Sequence, residues 1–189
     1  MAAQSHATWT VREITRAMAP LLVVLAVVEV GSGLVLDTFE NQLVRYPSLL
    51  ILVPVMIGTA GNLGSILAAR LSTAFHLGTL SFDPTDDELA GNAVATVALA
   101  ATVFPAVGLG AWILTFLTGG ARLFVGTVVA VALVSGVALA VVAVVVTLLA
   151  AYAAYRFELD PDDVVVPVVT NVCDVLGVVV LLGVVRLLV

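Results

Sequence analysis

The chain has 189 residues, room for a single domain, with 62% hydrophobic and only 11% charged side chains and a mean hydropathy of +1.22. Soluble domains carry about a quarter charged residues, so this is the composition of an integral membrane protein. The formal net charge of -6 sits mostly in two acidic clusters, which excludes a nucleic-acid-binding surface or a basic lipid-binding arm.

Residues 1–17 read as a polar cytoplasmic or interfacial segment, in which Ser5 or Thr10 can cap a short helix. The first span is predicted over residues 18–36, behind Arg12 and Arg16. It is longer than a signal-peptide core and lacks an A-x-A cleavage pattern, so it reads as retained. Glu29 lies inside it. A carboxylate there is either functional, as intramembrane acids tend to be, or sits at a wet helix end or beside an arginine.

A linker over Asp37–Tyr46 carries Asp37, Glu40 and Arg45. The second span, about 47–75, is unusual. Pro54 removes a backbone donor, and Gly58, Gly61 and Gly64 follow at three-residue spacing with Thr59, Asn62 and Ser65 between them. Such glycines form a smooth face for close helix packing. They also permit a break in the helix, tolerated only against protein or a water-filled cavity. Asn62 favours a polar cavity.

The loop around Asp83–Glu88 contains an Asp-Pro turn and a cap at Thr85 or Asp86. A third span follows over about 89–117, with Pro105 predicted to bend it. The Gly119–Arg122 turn leads into a fourth span over 123–155. That run exceeds the roughly 20 residues needed to cross, so tilt, a bend near Gly136 or a protruding end is expected.

The fifth span, 164–188, carries the feature around which the chain is organised. Asp174 is a lone carboxylate in a strongly apolar run, where a charge costs about 3 kcal/mol or more. Helical spacing puts Thr170, Asn171, Asp174 and Gly177 on one face, with Pro167 a turn away. Cys173 beside it is either packing or a soft ligand. The fold class is therefore all-α, a polytopic membrane protein of five spans over 18–189, with termini on opposite sides. Arg12, Arg16, Arg70 and Arg156 against Arg45, Arg122 and Arg186 favour a cytoplasmic N-terminus and an outer C-terminus.

No hydrolytic or nucleotide-binding motif is present, and one cysteine and two histidines are too few for a zinc-type site. The chain is not expected to be an enzyme. What the interior offers is oxygen: Asp174, Asn171, Thr170, Asn62, Thr59 and the acids Glu29 and Glu40. Hard cations take oxygen ligands, and magnesium keeps several waters while using only one or two carboxylates. One carboxylate per chain matches half a dication, which a two-fold dimer would complete.

The segment Val53–Ser65, VPVMIGTAGNLGS, resembles the P-x-x-x-G-x-x-G-N-x-G signature of the membrane domain of MgtE-type magnesium channels and the related eukaryotic solute-carrier magnesium transporters. Asp160-Pro161, then Pro167, Thr170, Asp174 and Gly177, is similar to that family's last helix, and Phe39-Glu40 to the end of its first. The resemblance spans essentially Arg12 to Leu188. It implies a homodimer in the cell membrane with a central pore, in which Asp174 binds a hydrated Mg2+ with backbone oxygen near Thr170. Glu40 would sit by the outer mouth. Gly58, Thr59, Gly61, Asn62, Gly64, Pro167 and Gly177 would line the pore.

Asp83, Asp86, Asp87, Asp160, Asp162 and Asp163 are either solvated caps and loop charges or a cytoplasmic rim that concentrates cations. The chain departs from the family pattern at Ser65-Ile66, where a glutamine is usual nearby, and at Val166, where asparagine is frequent. Both departures remove polar ligands. They motivate an alternative, a partner-dependent subunit forming a heterodimer with a paralogous half. A third option is transport of Mn2+ or Co2+, since carboxylate and water sites discriminate poorly. The full-length channels' regulatory domain and CBS pair have no counterpart in these residues. The likeness is to half-length archaeal relatives, without gating by those modules.

Overall fold

The computed structural model describes residues 10–79, 86–157, 159 and 161–189, without the side chains of residues 13, 14, 17, 75 and 161–163. These residues form six helices and no strand: α1 (Val11–Asp37), α2 (Glu40–Arg45), α3 (Pro47–His76), α4 (Asp87–Leu117), α5 (Val125–Arg156) and α6 (Pro161–Leu188). All but α2 are long and apolar enough to cross a bilayer. Valine and alanine dominate them. In lipid the backbone must satisfy itself, so such a run becomes helix whatever its propensity in water.

Several local expectations change. α1 begins at Val11 and runs without interruption into the first span, so residues 11–17 are part of that helix rather than a separate one. The linker contains its own helical turn: the Phe39 carbonyl accepts from the Gln42 and Leu43 amides at 3.0 Å each, and Leu43 is buried. The break that Pro54 and the glycines would permit is not made, and α3 continues through all four positions to His76. α4 likewise passes through Pro105, and α5 is one helix through Gly136.

The ends are capped as helix chemistry requires. Asp86 accepts from the amides of Glu88 and Leu89 at 2.9 and 3.2 Å, with Asp87 and Glu88 favourably placed in the first turn. At the other end of α4, Gly119 adopts φ +73, and the Gly120 amide returns to the Thr115 carbonyl at 2.8 Å. Only glycine takes that left-handed position at no steric cost.

Small residues set the packing. α3 and α6 run antiparallel with Gly61 against Thr170 and Asp174, Gly64 against Val169, and Gly177 against Ile57. α4 and α5 form a second antiparallel pair. There the Phe104 ring lies directly over Gly136, and Gly108 meets Val128, Val129 and Ala132. α5 reaches the α3–α6 pair where Ala143 approaches Gly64. The hydroxyls of Ser48 and Thr115 join α3 to α4 at 2.6 Å, both buried. α1 packs chiefly on α6, and none of its residues from Met18 onward is buried.

Candidate cation site at the seam of α3 and α6

Asp174 is half-buried on α6, where α3 presents bare backbone. A β-carbon built on Gly61 would stand 3.2 Å from Asp174 Oδ1 and 3.3 Å from Thr170 Cγ2. The carboxylate thus lies against the α3 main chain, in space that only glycine leaves open. One turn away, the Ser65 and Thr170 hydroxyls meet at 3.0 Å. Ser65 donates to the Gly61 carbonyl at 2.9 Å, and Thr170 to the Val166 carbonyl at 2.8 Å. A row of oxygens, Asp174, Thr170 and Ser65, therefore follows the seam.

Among the described residues Asp174 makes no ion pair. An acid within an apolar span with no cationic side chain beside it is rare, because burying such a charge in hydrocarbon is costly. Among the described residues no three of His, Cys, Asp or Glu come together as a closed metal cage. One chain thus offers a single carboxylate edged by hydroxyls, suited to a cation that keeps much of its water.

The other predicted site residues divide into three groups. Gly61, Gly64 and Gly177 are buried in the seam. Gly58 and Asn62, one turn apart on α3, are exposed, and nothing lies within 4 Å of a β-carbon on Gly58. Thr59 is half-buried. Pro167 lines a groove of about 460 Å³ between α1 and α6, together with Leu22, Leu25, Glu29, Thr170 and Asn171.

Asn171 turns from the seam toward α1. It is 5% exposed, and its Nδ2 donates to Glu29 Oε1 at 2.6 Å and to the Leu25 carbonyl at 3.2 Å. Glu40 is remote from Asp174 within one chain. The Arg186 guanidinium lies 4.5 Å over the Phe39 ring, which sets α2 beside the last turn of α6. The twelve residues between Asp174 and Arg186 span about 18 Å of helical rise. Glu40 instead borders a hollow of about 310 Å³ with Asp37 and Gly33.

Of the acidic rim residues, Asp86 serves as the α4 cap and Asp87 is exposed beside it. Asp83 and Asp160, and the side chains of Asp162 and Asp163, lie outside the described residues. Cys173 is fully buried, with its sulfur 3.5 Å from where a Gly64 methyl would be, and is therefore a packing residue. Sequence reasoning missed two contacts, Ser65 with Thr170 and Glu29 with Asn171. Ser65 stands one helical turn after Gly61, which was the available signal for the first. Nothing in a single sequence pairs α1 with α6.

Five helices long and apolar enough to cross a bilayer, with a carboxylate at the α3–α6 seam, define a helical, multi-pass membrane protein. The sequence model of the MgtE family, divalent cation transporters, matches residues 53–184. The chain belongs to that family. Membership places it among transporters of divalent cations.

Proposed function

We propose that the chain passes a hydrated divalent cation, foremost Mg2+, along the α3–α6 seam, held by Asp174 from each of two copies around a two-fold axis. The observation that carries this reading is the Asp174 carboxylate, unneutralised and seated on bare backbone at Gly61. Two such carboxylates match one dication, and water supplies the remaining ligands. The exposed pair Gly58 and Asn62 supports the second copy. A polar amide facing hydrocarbon is costly, and a facing copy would cover it. Glu40 belongs to the outer mouth in this reading.

The same arrangement supports an orientation in the cell membrane. Arg122 Nη1 donates to the Arg45 carbonyl at 3.4 Å, and Arg186 sits on Phe39, so Arg45, Arg122 and Arg186 gather at one end. With four arginines toward the other end, that end is cytoplasmic and the C-terminus is outside.

Magnesium uptake into proteoliposomes tests the site. Asp174→Ala and Asp174→Asn should fall to the level of empty vesicles, and flux equal to the original chain would overturn the reading. Asn62→Cys in a Cys173→Ala background should cross-link two copies. A chain that neither cross-links nor conducts alone, but conducts with a paralogous half, would favour the heterodimer instead. Competition by Mn2+ or Co2+ sets the selectivity.

A further inference from the structure

Glu29 lies within the first span yet has no cationic partner among the described residues. The donor facing it is the Asn171 amide, at 2.6 Å. Asn171 donates from the same nitrogen to the Leu25 carbonyl at 3.2 Å, so it grips α1 at two points one turn apart, a side chain and the main chain. A hydrogen bond to a carboxylate is shorter and stronger than a neutral one. The groove between these helices is otherwise lined mostly by apolar residues, among them Leu22, Leu25, Val166 and Pro167. Between two apolar helices in lipid, apolar contact alone gives little preference for one register over another. The polar clasp supplies that preference.

Its location gives it a consequence. Asn171 is the neighbour of Thr170 and stands three residues before Asp174 on the same helix. The face of α6 packed on Gly61 adjoins the clasp, with Asp174 about 60° round the helix from Asn171. Any rotation or slide of α6 that the clasp allows would therefore move the Asp174 carboxylate off Gly61.

We propose that Glu29 is a positioning residue for the cation site: by holding the Asn171 amide it fixes α6 on α1 and so aims Asp174 and Thr170 into the seam. The inference rests on the reading of Asp174 as the cation ligand. Glu29 does not touch the ion; it acts through Asn171. Groups hydrogen-bonded directly to a ligand alter metal affinity about 10–100-fold when lost, and Glu29, which acts through Asn171, belongs at the low end of that range.

The test is Mg2+ flux into proteoliposomes as a function of concentration, with the intact chain carrying Glu29→Ala, Glu29→Gln, Asn171→Ala or the Glu29→Ala/Asn171→Ala pair. Glu29→Ala should raise the half-saturating Mg2+ concentration about tenfold, with less effect on maximal flux. Glu29→Gln keeps an acceptor for the amide and should recover most of the lost affinity. Asn171→Ala, which loses both bonds to α1, should be at least as impaired as Glu29→Ala, and the pair should be no worse than Asn171→Ala alone.

An unchanged half-saturating concentration in Glu29→Ala overturns the inference, as does a Gln variant as impaired as the Ala one. If Glu29→Ala does not fold, Glu29→Ser at the same position carries the comparison with Gln, read as the Mg2+-induced rise in thermal midpoint. Asp174→Ala is measured alongside. Full flux there sinks the site itself, whereas loss there with normal affinity in Glu29→Ala sinks only the role of Glu29.

Discussion

Gly61 and Asp174 face each other across the α3–α6 seam with no side chain between them, and a methyl on Gly61 would come 3.2 Å from Asp174 Oδ1. The same methyl would press Thr170 Cγ2 at 3.3 Å. Neither distance forbids alanine, but both require α6 side chains to yield by a few tenths of an ångström. Gly61→Ala is expected to fold and to weaken apparent Mg2+ affinity by about tenfold. Gly61→Val, which fills the space with branched carbons, should abolish flux. Concentration-dependent uptake checks both, and an alanine variant with unchanged affinity would separate Gly61 from the site.

Packing variants away from the carboxylate should report on stability rather than affinity. A Gly64 methyl would stand 2.5 Å from Val169 Cγ1. Gly64→Ala should therefore lower stability by about 1–3 kcal/mol, as overpacking does, and Val169→Ala should restore part of it. Gly136→Ala should be worse, because its methyl would run into the fully buried Phe104 ring. Thermal midpoints in detergent rank these variants. Equal midpoints for Gly136→Ala and the original chain would contradict the packing of α4 on α5.

Two hydroxyls on α5, Ser135 Oγ and Thr147 Oγ1, are fully buried without a hydrogen-bond partner among the described residues. An unpaired buried hydroxyl is costly, and its replacement by a methyl of the same shape is close to neutral or stabilising. Thr147→Val and Ser135→Ala are expected to change stability by between zero and about 1 kcal/mol in the favourable direction. Ser48→Ala should do the opposite, since it strands the Thr115 contact across α3 and α4 at 2.6 Å. Membrane hydrogen bonds of this kind are worth about 0.6 kcal/mol on average. Unfolding midpoints of the three variants decide the sign.

Much of the molecule was legible before any coordinates. The sequence reads as all-helical with five apolar runs, and the structure has five helices long and apolar enough to cross a bilayer. The glycine spacing on the second span allowed either close packing or a break beside a polar cavity, the latter favoured by Asn62; Gly61 and Gly64 pack closely and α3 stays unbroken. Less legible was what each polar residue faces. Thr170, Asn171 and Asp174 share a broad face by periodicity, yet the structure divides it: Thr170 and Asp174 meet α3, while Asn171 meets α1. The linker helix α2 was missed because six residues are too few for a periodic pattern.

By itself the sequence determined the membrane class, the number of crossings and the few polar positions within them. A hydrocarbon solvent dictates how long an apolar run must be and makes every interior charge conspicuous. The tertiary structure alone decided which faces meet: Gly61 rather than Gly58 under Asp174, Asn171 on Glu29, and Arg186 over Phe39. Helical periodicity assigns residues to a face but not to a neighbour, and in lipid one apolar face resembles another. The choice among them falls to the fit of small residues and to a handful of polar contacts, which exist only once the helices are side by side.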